Sequence, residues 1–213
     1  MNDWIKHIRK HYIKNQLLET EIASDPFQHF QTWLKDAIDG EDEYATAMVL
    51  STISKENMPC SRVVLLKDIS HEGFTFFTNY ESKKADNLRN NSNASLLFFW
   101  KELERQVRIE GHIMYIPESE SISYFNERPR ESQLTTWASN QSKVIPSRKV
   151  LETRYAYYTN LYDRKDVPKP PHWGGYVLVP EMIEFWQGRA NRLHDRLQFT
   201  KKDKEWKLER LAP

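Results

Sequence analysis

Ala47-Met48-Val49-Leu50-Ser51-Thr52-Ile53 and Arg62-Val63-Val64-Leu65-Leu66-Lys67, separated by the turn-prone Lys55-Glu56-Asn57-Met58-Pro59, decide the class of fold. Both runs are short, rich in apolar and β-branched residues, and bounded by turn formers, which is the pattern of two strands joined by a hairpin. Downstream, the turn at Ser70-His71-Glu72-Gly73 leads into Phe74–Thr78. Further strands are predicted over 94–100, 106–116, 175–179, 183–186, 193–199 and 206–208. Helices are predicted over 82–91, 117–128 and 147–161, with a stiff connector at Pro168-Lys169-Pro170-Pro171. Hairpins with helices inserted between them predict a mainly β, α+β fold: a β-barrel with peripheral helices, not a parallel α/β sheet.

Upstream, Ser24-Asp25-Pro26 is a helix start. Phe27, Phe30, Leu34, Ala37 and Ile38 recur on one face until Gly40, predicting an amphipathic helix. Residues 1–23 read as a separate polar N-terminal segment and 24–213 as a single domain. His7 and His11 stand at i,i+4, but no third ligand supports a metal, so none is expected.

The chain has 213 residues, 31 Lys plus Arg against 30 Asp plus Glu, and one cysteine. The near-zero net charge argues against a nucleic-acid partner. Cys60 alone permits neither an intrachain disulfide nor a cysteine metal cluster, which fits a reducing cytoplasm. The first ten residues lack the apolar region of a secretory signal, and no apolar run reaches membrane-spanning length, so no membrane partner is expected. Neither GxGxxG nor GxxxxGK[ST] occurs.

Four polar clusters stand where packing does not require them. Arg62 and Lys67 bracket an apolar strand, as cations aimed at two partners or as solvated strand ends. In Thr78-Asn79-Tyr80-Glu81-Ser82-Lys83-Lys84, Ser82 caps a helix whose N-terminus and two lysines suit a phosphate; a plain cap is the alternative. Tyr124 and Arg128 share a helix face, and Pro129 breaks that helix so that Ser132 folds back toward them; an ordinary surface pair competes. Finally, Arg192, His194 and Arg196 project from one face if extended, where two cations would depress the imidazole pKa; a salt-bridge network through Asp195 competes. By themselves these clusters predict a barrel that binds phosphorylated aromatic small molecules and leave the reaction open.

These clusters, together with Glu104-Arg105-Gln106-Val107, Gln141-Ser142, Trp173-Gly174-Gly175, Glu184-Phe185-Trp186-Gln187 and Arg210-Leu211-Ala212-Pro213, resemble in order the pyridoxamine 5′-phosphate oxidase family. The resemblance implies a split β-barrel homodimer with FMN at the subunit interface. By that likeness Arg62 and Lys84 hold the FMN phosphate, with Lys83, Gln141 and Ser142 nearby. Val63, Val64, Leu65, Leu66, Phe77, Thr78, Gln106, Trp186 and Arg196 border the rest of the flavin. Lys67, assigned to both ligands, joins Tyr124, Arg128 and Ser132 on the substrate phosphate. Arg192 and His194 are the catalytic pair over the pyridine ring, and Arg9 to Tyr12 form a lid over the substrate.

The implied activity oxidises pyridoxamine 5′-phosphate and pyridoxine 5′-phosphate to pyridoxal 5′-phosphate with O2. A non-enzymatic flavin or pyridoxal-phosphate carrier on the same barrel is the alternative. Two departures from the family pattern are visible: Lys83 where arginine is common, and Thr135-Thr136 where Gly-Ala is common.

Overall fold

The computed structural model describes Tyr12 and residues 14–213. His7, His11 and Arg9 lie outside the described residues. Contacts divide the chain into two compact units, each assembled from separate stretches. The first holds the described residues up to Val49 with Ser95–Glu110 and Pro180–Pro213; the second holds Leu50–Ala94 and Gly111–Val179.

The strands are β1 (Ala47–Ile53), β2 (Pro59–Leu65), β3 (Asp68–Ile69), β4 (Phe74–Asn79), β5 (Asn93–Trp100), β6 (Arg105–Tyr115), β7 (Trp173–Gln187), β8 (Asp195–Lys202) and β9 (Glu205–Arg210). They pair in the order β2-β1-β5-β6-β7-β4-β3, with β8 on β7 and β9 on β8. The helices are α1 (Pro26–Asp39), α2 (Lys83–Asn90), α3 (Glu118–Glu127), α4 (Arg130–Ala138) and α5 (Arg148–Leu161).

Residues 173–187 form one strand where two were predicted. β7 pairs antiparallel with β4 over Trp173–Leu178 and with β8 over Met182–Gln187. Pro180, which has no N–H to donate, falls between the two registers, where the strand changes partner.

In the first unit the side chain of Asp25 accepts from the Phe27 amide at 3.0 Å and Pro26 opens α1, as the sequence predicts. The buried face of α1 is rotated from the predicted one: Phe30, Trp33 and Ala37 are buried, whereas Ile38 is 53% exposed. Packing sets the rotation. Phe30 lies 4.9 Å from Phe98, and Trp33 lies 5.3 Å from Phe185, which in turn meets Phe199. Each buried aromatic contributes on the order of 1.5–3 kcal/mol through the area it removes from water.

In the second unit Phe125, Leu134, Val167 and Trp173 form a buried cluster, against which Phe77, Tyr124 and, from α5, Tyr155 and Tyr158 pack. Gly175 is required there, because a Cβ would stand 2.3 Å from Ile116 Cδ1 and 2.9 Å from Phe77 Cε1. α4 was not predicted. It starts directly after Pro129, so α3 does end where expected, but Ser132 is carried back by a new helix and not by a loop.

Candidate functional site

A cavity of about 590 Å³ opens in the second unit. Among the described residues four cations, Arg62, Lys67, Lys84 and Arg128, line it against one carboxylate, Glu131. Alternation along β2 half-buries one face of the strand, so Arg62 is half-buried while Val63 is 65% exposed. Its Nη1 donates to the Leu50 carbonyl at 3.0 Å and to Thr52 Oγ1 at 2.9 Å, and Asn87 Nδ2 donates to that same hydroxyl oxygen.

Ser82 caps α2 by accepting from the Ala85 amide, which puts Lys84 in the first turn. Lys84 Nζ donates to Gln141 Oε1 at 2.8 Å and Thr78 Oγ1 at 2.9 Å. Burial, reinforced by the Arg62 charge, lowers the Lys84 pKa to about 8. Neutral acceptors and a second cation leave this ammonium without local charge compensation, the environment an anion would relieve.

Elsewhere in the cavity, Phe77 stacks on Tyr124 at 4.1 Å and on Trp173 at 5.2 Å, and the planes of Tyr124 and Trp173 differ by 13°. The Arg128 guanidinium lies 4.7 Å over the Trp173 ring and donates through Nη1 to Thr136 Oγ1 at 2.9 Å. Burial holds the Arg128 pKa below its ordinary value. Ser132 lines the cavity from α4, so Tyr124, Arg128 and Ser132 do converge. Val63, Val64, Leu65, Thr78 and Gln141 also line it. Leu66 is buried, Lys83 and Ser142 are exposed, and none of these three belongs to the lining.

The remaining predicted residues belong to the first unit. Gln106 is half-buried on β6. The premise that Arg192, His194 and Arg196 share an extended face does not hold. Ala190–Arg192 is a short 3₁₀ turn, Asn191 and Arg192 have φ of 56° and 62°, and β8 begins only at Asp195. Two successive left-handed residues turn the chain, which no strand periodicity could show.

Within that loop His194 Nδ1 accepts from the Arg189 amide at 3.0 Å. Its ring packs 4.7 Å from Trp186 and 5.5 Å from Tyr12. Gly188 makes room for Tyr12, because a Cβ there would come within 2.7 Å of the tyrosine ring. The His194 pKa is lowered as expected, by burial first and by Arg192 second, with Asp195 opposing. Arg196 is tied to Glu184 instead, at 2.7 Å, and donates to the Ala212 carbonyl. Burial alone would raise the Glu184 pKa, but hydrogen bonds from Arg196 and Arg108 outweigh it and hold the carboxyl below its ordinary value.

Sequence reasoning did not single out Thr52, Trp173 as a ring platform, or Glu184, and it noted Thr136 only as a departure from the family pattern, with no partner assigned. Trp173 and Glu184 stood inside the quoted motifs, and their placement beside Gly174 and Phe185 was the available signal. Among the described residues no group of three or more His, Cys, Asp or Glu could hold a metal, and no helix is long and apolar enough to cross a membrane.

A cation-rich cavity with stacked aromatics, on a mainly β fold with peripheral helices, has the chemistry to hold a flat, phosphate-bearing molecule. Residues 34–162 match the pyridoxamine 5′-phosphate oxidase family, and residues 173–213 match the pyridoxine 5′-phosphate oxidase C-terminal dimerisation region. A pyridoxine/pyridoxamine 5′-phosphate oxidase from Cyanothece sp. is 50% identical over 209 residues, 98% of each chain. One from Nostoc punctiforme is 46% identical over 214 residues, the full length of both. Among solved structures, PhzG from Burkholderia lata, in complex with tetrahydrophenazine-1-carboxylic acid, superposes with a TM-score of 0.89 at 29% identity, covering 94% of this chain and 99% of that one. A pyridoxamine 5′-phosphate oxidase-related, FMN-binding protein from Nostoc punctiforme shares the fold, with a TM-score of 0.72 at 16% identity over 90% of this chain and 100% of that one. The chain belongs to the pyridoxamine 5′-phosphate oxidase family, and its fold is that family's split β-barrel.

Proposed function

We propose that the protein is an FMN-dependent oxidase that converts pyridoxamine 5′-phosphate and pyridoxine 5′-phosphate to pyridoxal 5′-phosphate. The observation that carries this reading is the pairing of two cation sets in one cavity. Arg62 and Lys84, which repel each other and donate to neutral groups among the described residues, form one; to the other we assign Lys67 and Arg128, which line the same cavity with Tyr124 and Ser132. Two phosphate esters, one on the cofactor and one on the substrate, use both.

FMN suits the first set, because the desolvated Lys84 and Arg62 gain from a dianion, each charge-assisted hydrogen bond contributing roughly 1.5–3 kcal/mol. When bound beside Arg62 and Lys84, FMN would supply the two-electron redox chemistry of the reaction, with O2 as the terminal acceptor. The net change is pyridoxamine 5′-phosphate, O2 and water to pyridoxal 5′-phosphate, ammonia and H2O2; the alcohol gives the aldehyde without water or ammonia.

The chain's own part is positioning. Arg128, Lys67, Tyr124 and Ser132 grip the substrate phosphate. His194 meets the ring as a neutral donor through Nε2, and Arg192 adds a permanent cation. Trp186, Arg196, Gln106, Leu66, Lys83 and Ser142 belong with the cofactor, and Tyr12 with the substrate. The match to the family's dimerisation region supports a homodimer, and FMN at its subunit interface is part of this proposal. Residues 24–213 then act as one cofactor-binding domain.

The purified protein is expected to be yellow, and anaerobic pyridoxamine 5′-phosphate is expected to bleach it. Colour without bleaching would leave a carrier and reject the oxidase.

A further inference from the structure

Thr136 stands in α4 four residues after Ser132, on the same helix face. Its hydroxyl has one proton, and that proton goes to the Ser132 carbonyl at 2.8 Å. The lone pairs of Oγ1 are therefore left to accept, and Arg128 Nη1 donates to them at 2.9 Å. Arg128 is thus held at two points: its face rests over Trp173 at 4.7 Å, and one N–H is fixed by Thr136. A guanidinium carries five N–H donors, so the remaining ones stay available for a ligand.

We infer that Thr136 is a positioning residue for a phosphate monoester, acting through Arg128: its hydroxyl oxygen fixes the guanidinium in the cavity before the ester arrives. An unheld arginine loses rotamer freedom when it grips a ligand, and a pre-fixed one has already lost it. The same oxygen fastens the turn that carries Ser132, so one hydroxyl orders two of the groups facing the ester. Thr52 stands in the same relation to Arg62: it donates to the Cys60 carbonyl at 3.3 Å and accepts from Arg62 Nη1 at 2.9 Å. This role for Thr136 rests on the reading of the cavity as a phosphate-ester site and on nothing about turnover.

The test uses FMN-loaded protein, with pyridoxal 5′-phosphate and inorganic phosphate as calorimetric probes. Thr136→Val keeps the shape and removes the hydroxyl. It is expected to weaken both probes about two- to tenfold, the size of one net hydrogen bond, with FMN affinity unchanged. In turnover KM rises by the same factor and kcat holds. Thr136→Ser restores binding to within about twofold. Should Thr136→Val not fold, Thr136→Ala gives the same comparison.

Wild-type affinity in the valine variant, an equal loss of FMN, or failure of serine to rescue would each overturn the role. A wild-type protein that binds the ester without bleaching would reject the oxidase and leave Thr136 in place, whereas one that binds neither probe would overturn both.

Discussion

The Arg189 amide donates to His194 Nδ1 at 3.0 Å, and this one bond fixes what the imidazole can do. An acceptor Nδ1 carries no proton, so the neutral ring must carry its proton on Nε2. Burial and Arg192 both push the His194 pKa down, and a second proton on Nδ1 would break the bond to Arg189. Two-bond ¹⁵N–¹H correlation spectra at pH 7 are expected to show Nε2 protonated and Nδ1 bare. The pKa lies below its ordinary value of 6.5, so turnover should lose an essential neutral group only below pH 6.5. A protonated Nδ1 at pH 7 would remove the donor role given to this residue.

Lys84 gives the cofactor site a pH signature. Its pKa of about 8 is set by burial and by Arg62, and a bound phosphate dianion moves it back up. Below pH 8 the ammonium is already formed and FMN affinity is flat. Above pH 8 the empty site must take up a proton to bind, so affinity falls by up to about tenfold per pH unit. Lys84→Met should remove this break and weaken FMN by about 10- to 100-fold at pH 7, the equivalent of one charge-assisted bond. Titration of FMN fluorescence quenching across pH 7–9.5 in both proteins checks it; a wild-type affinity that stays flat to pH 9.5 contradicts it.

The strands were legible because β-branched and aromatic runs bounded by turns have few alternatives. β1 spans Ala47–Ile53 as predicted, and Ser82 caps α2. The first phosphate socket was legible for the same reason: alternation turns Arg62 inward, and a cap places Lys84. α4 was not, because Arg130–Ala138 carries two adjacent β-branched threonines and buries only Gln133, Leu134 and Ala138, too sparse a stripe for a helical period. With α4 unread, the bond between Thr136 and Arg128 could not be foreseen. The loop before β8 was misread for another reason. Left-handed φ at Asn191 and Arg192 is a tertiary outcome, and neither residue is the glycine that would have announced it.

Arg192 combines an exposed guanidinium with a φ of 62°. A side chain in that region costs roughly 1 kcal/mol, which glycine avoids. Two variants therefore separate its backbone from its charge. Arg192→Ala keeps the strain and loses the cation, and Arg192→Gly loses both. Both should slow anaerobic flavin reduction by pyridoxamine 5′-phosphate to a similar extent while FMN affinity stays within about twofold. Chemical denaturation should find the glycine variant more stable than the alanine variant by roughly 1 kcal/mol. Unchanged reduction with weakened FMN would mean that Arg192 serves the cofactor and not the substrate ring.

His29 sets the protein's response to acid. Its ring is buried against Phe185 at 4.7 Å and Trp33 at 5.1 Å, and among the described residues Nε2 has no hydrogen-bond partner. Burial lowers its pKa to about 4, Arg105 adds to the shift and Asp36 opposes it. Unfolding releases the imidazole to its ordinary value of 6.5, so between pH 6.5 and 4 the unfolded chain binds more protons than the folded one. Stability from this residue is complete above pH 6.5 and falls as pH drops toward 4, with a limiting slope of about 1.4 kcal/mol per unit. His29→Phe cannot titrate and should show a shallower loss over that window, whatever its stability at pH 7. Urea denaturation of both proteins at pH 7, 6, 5 and 4.5 measures the difference; parallel curves would mean that the folded state accommodates a charged His29.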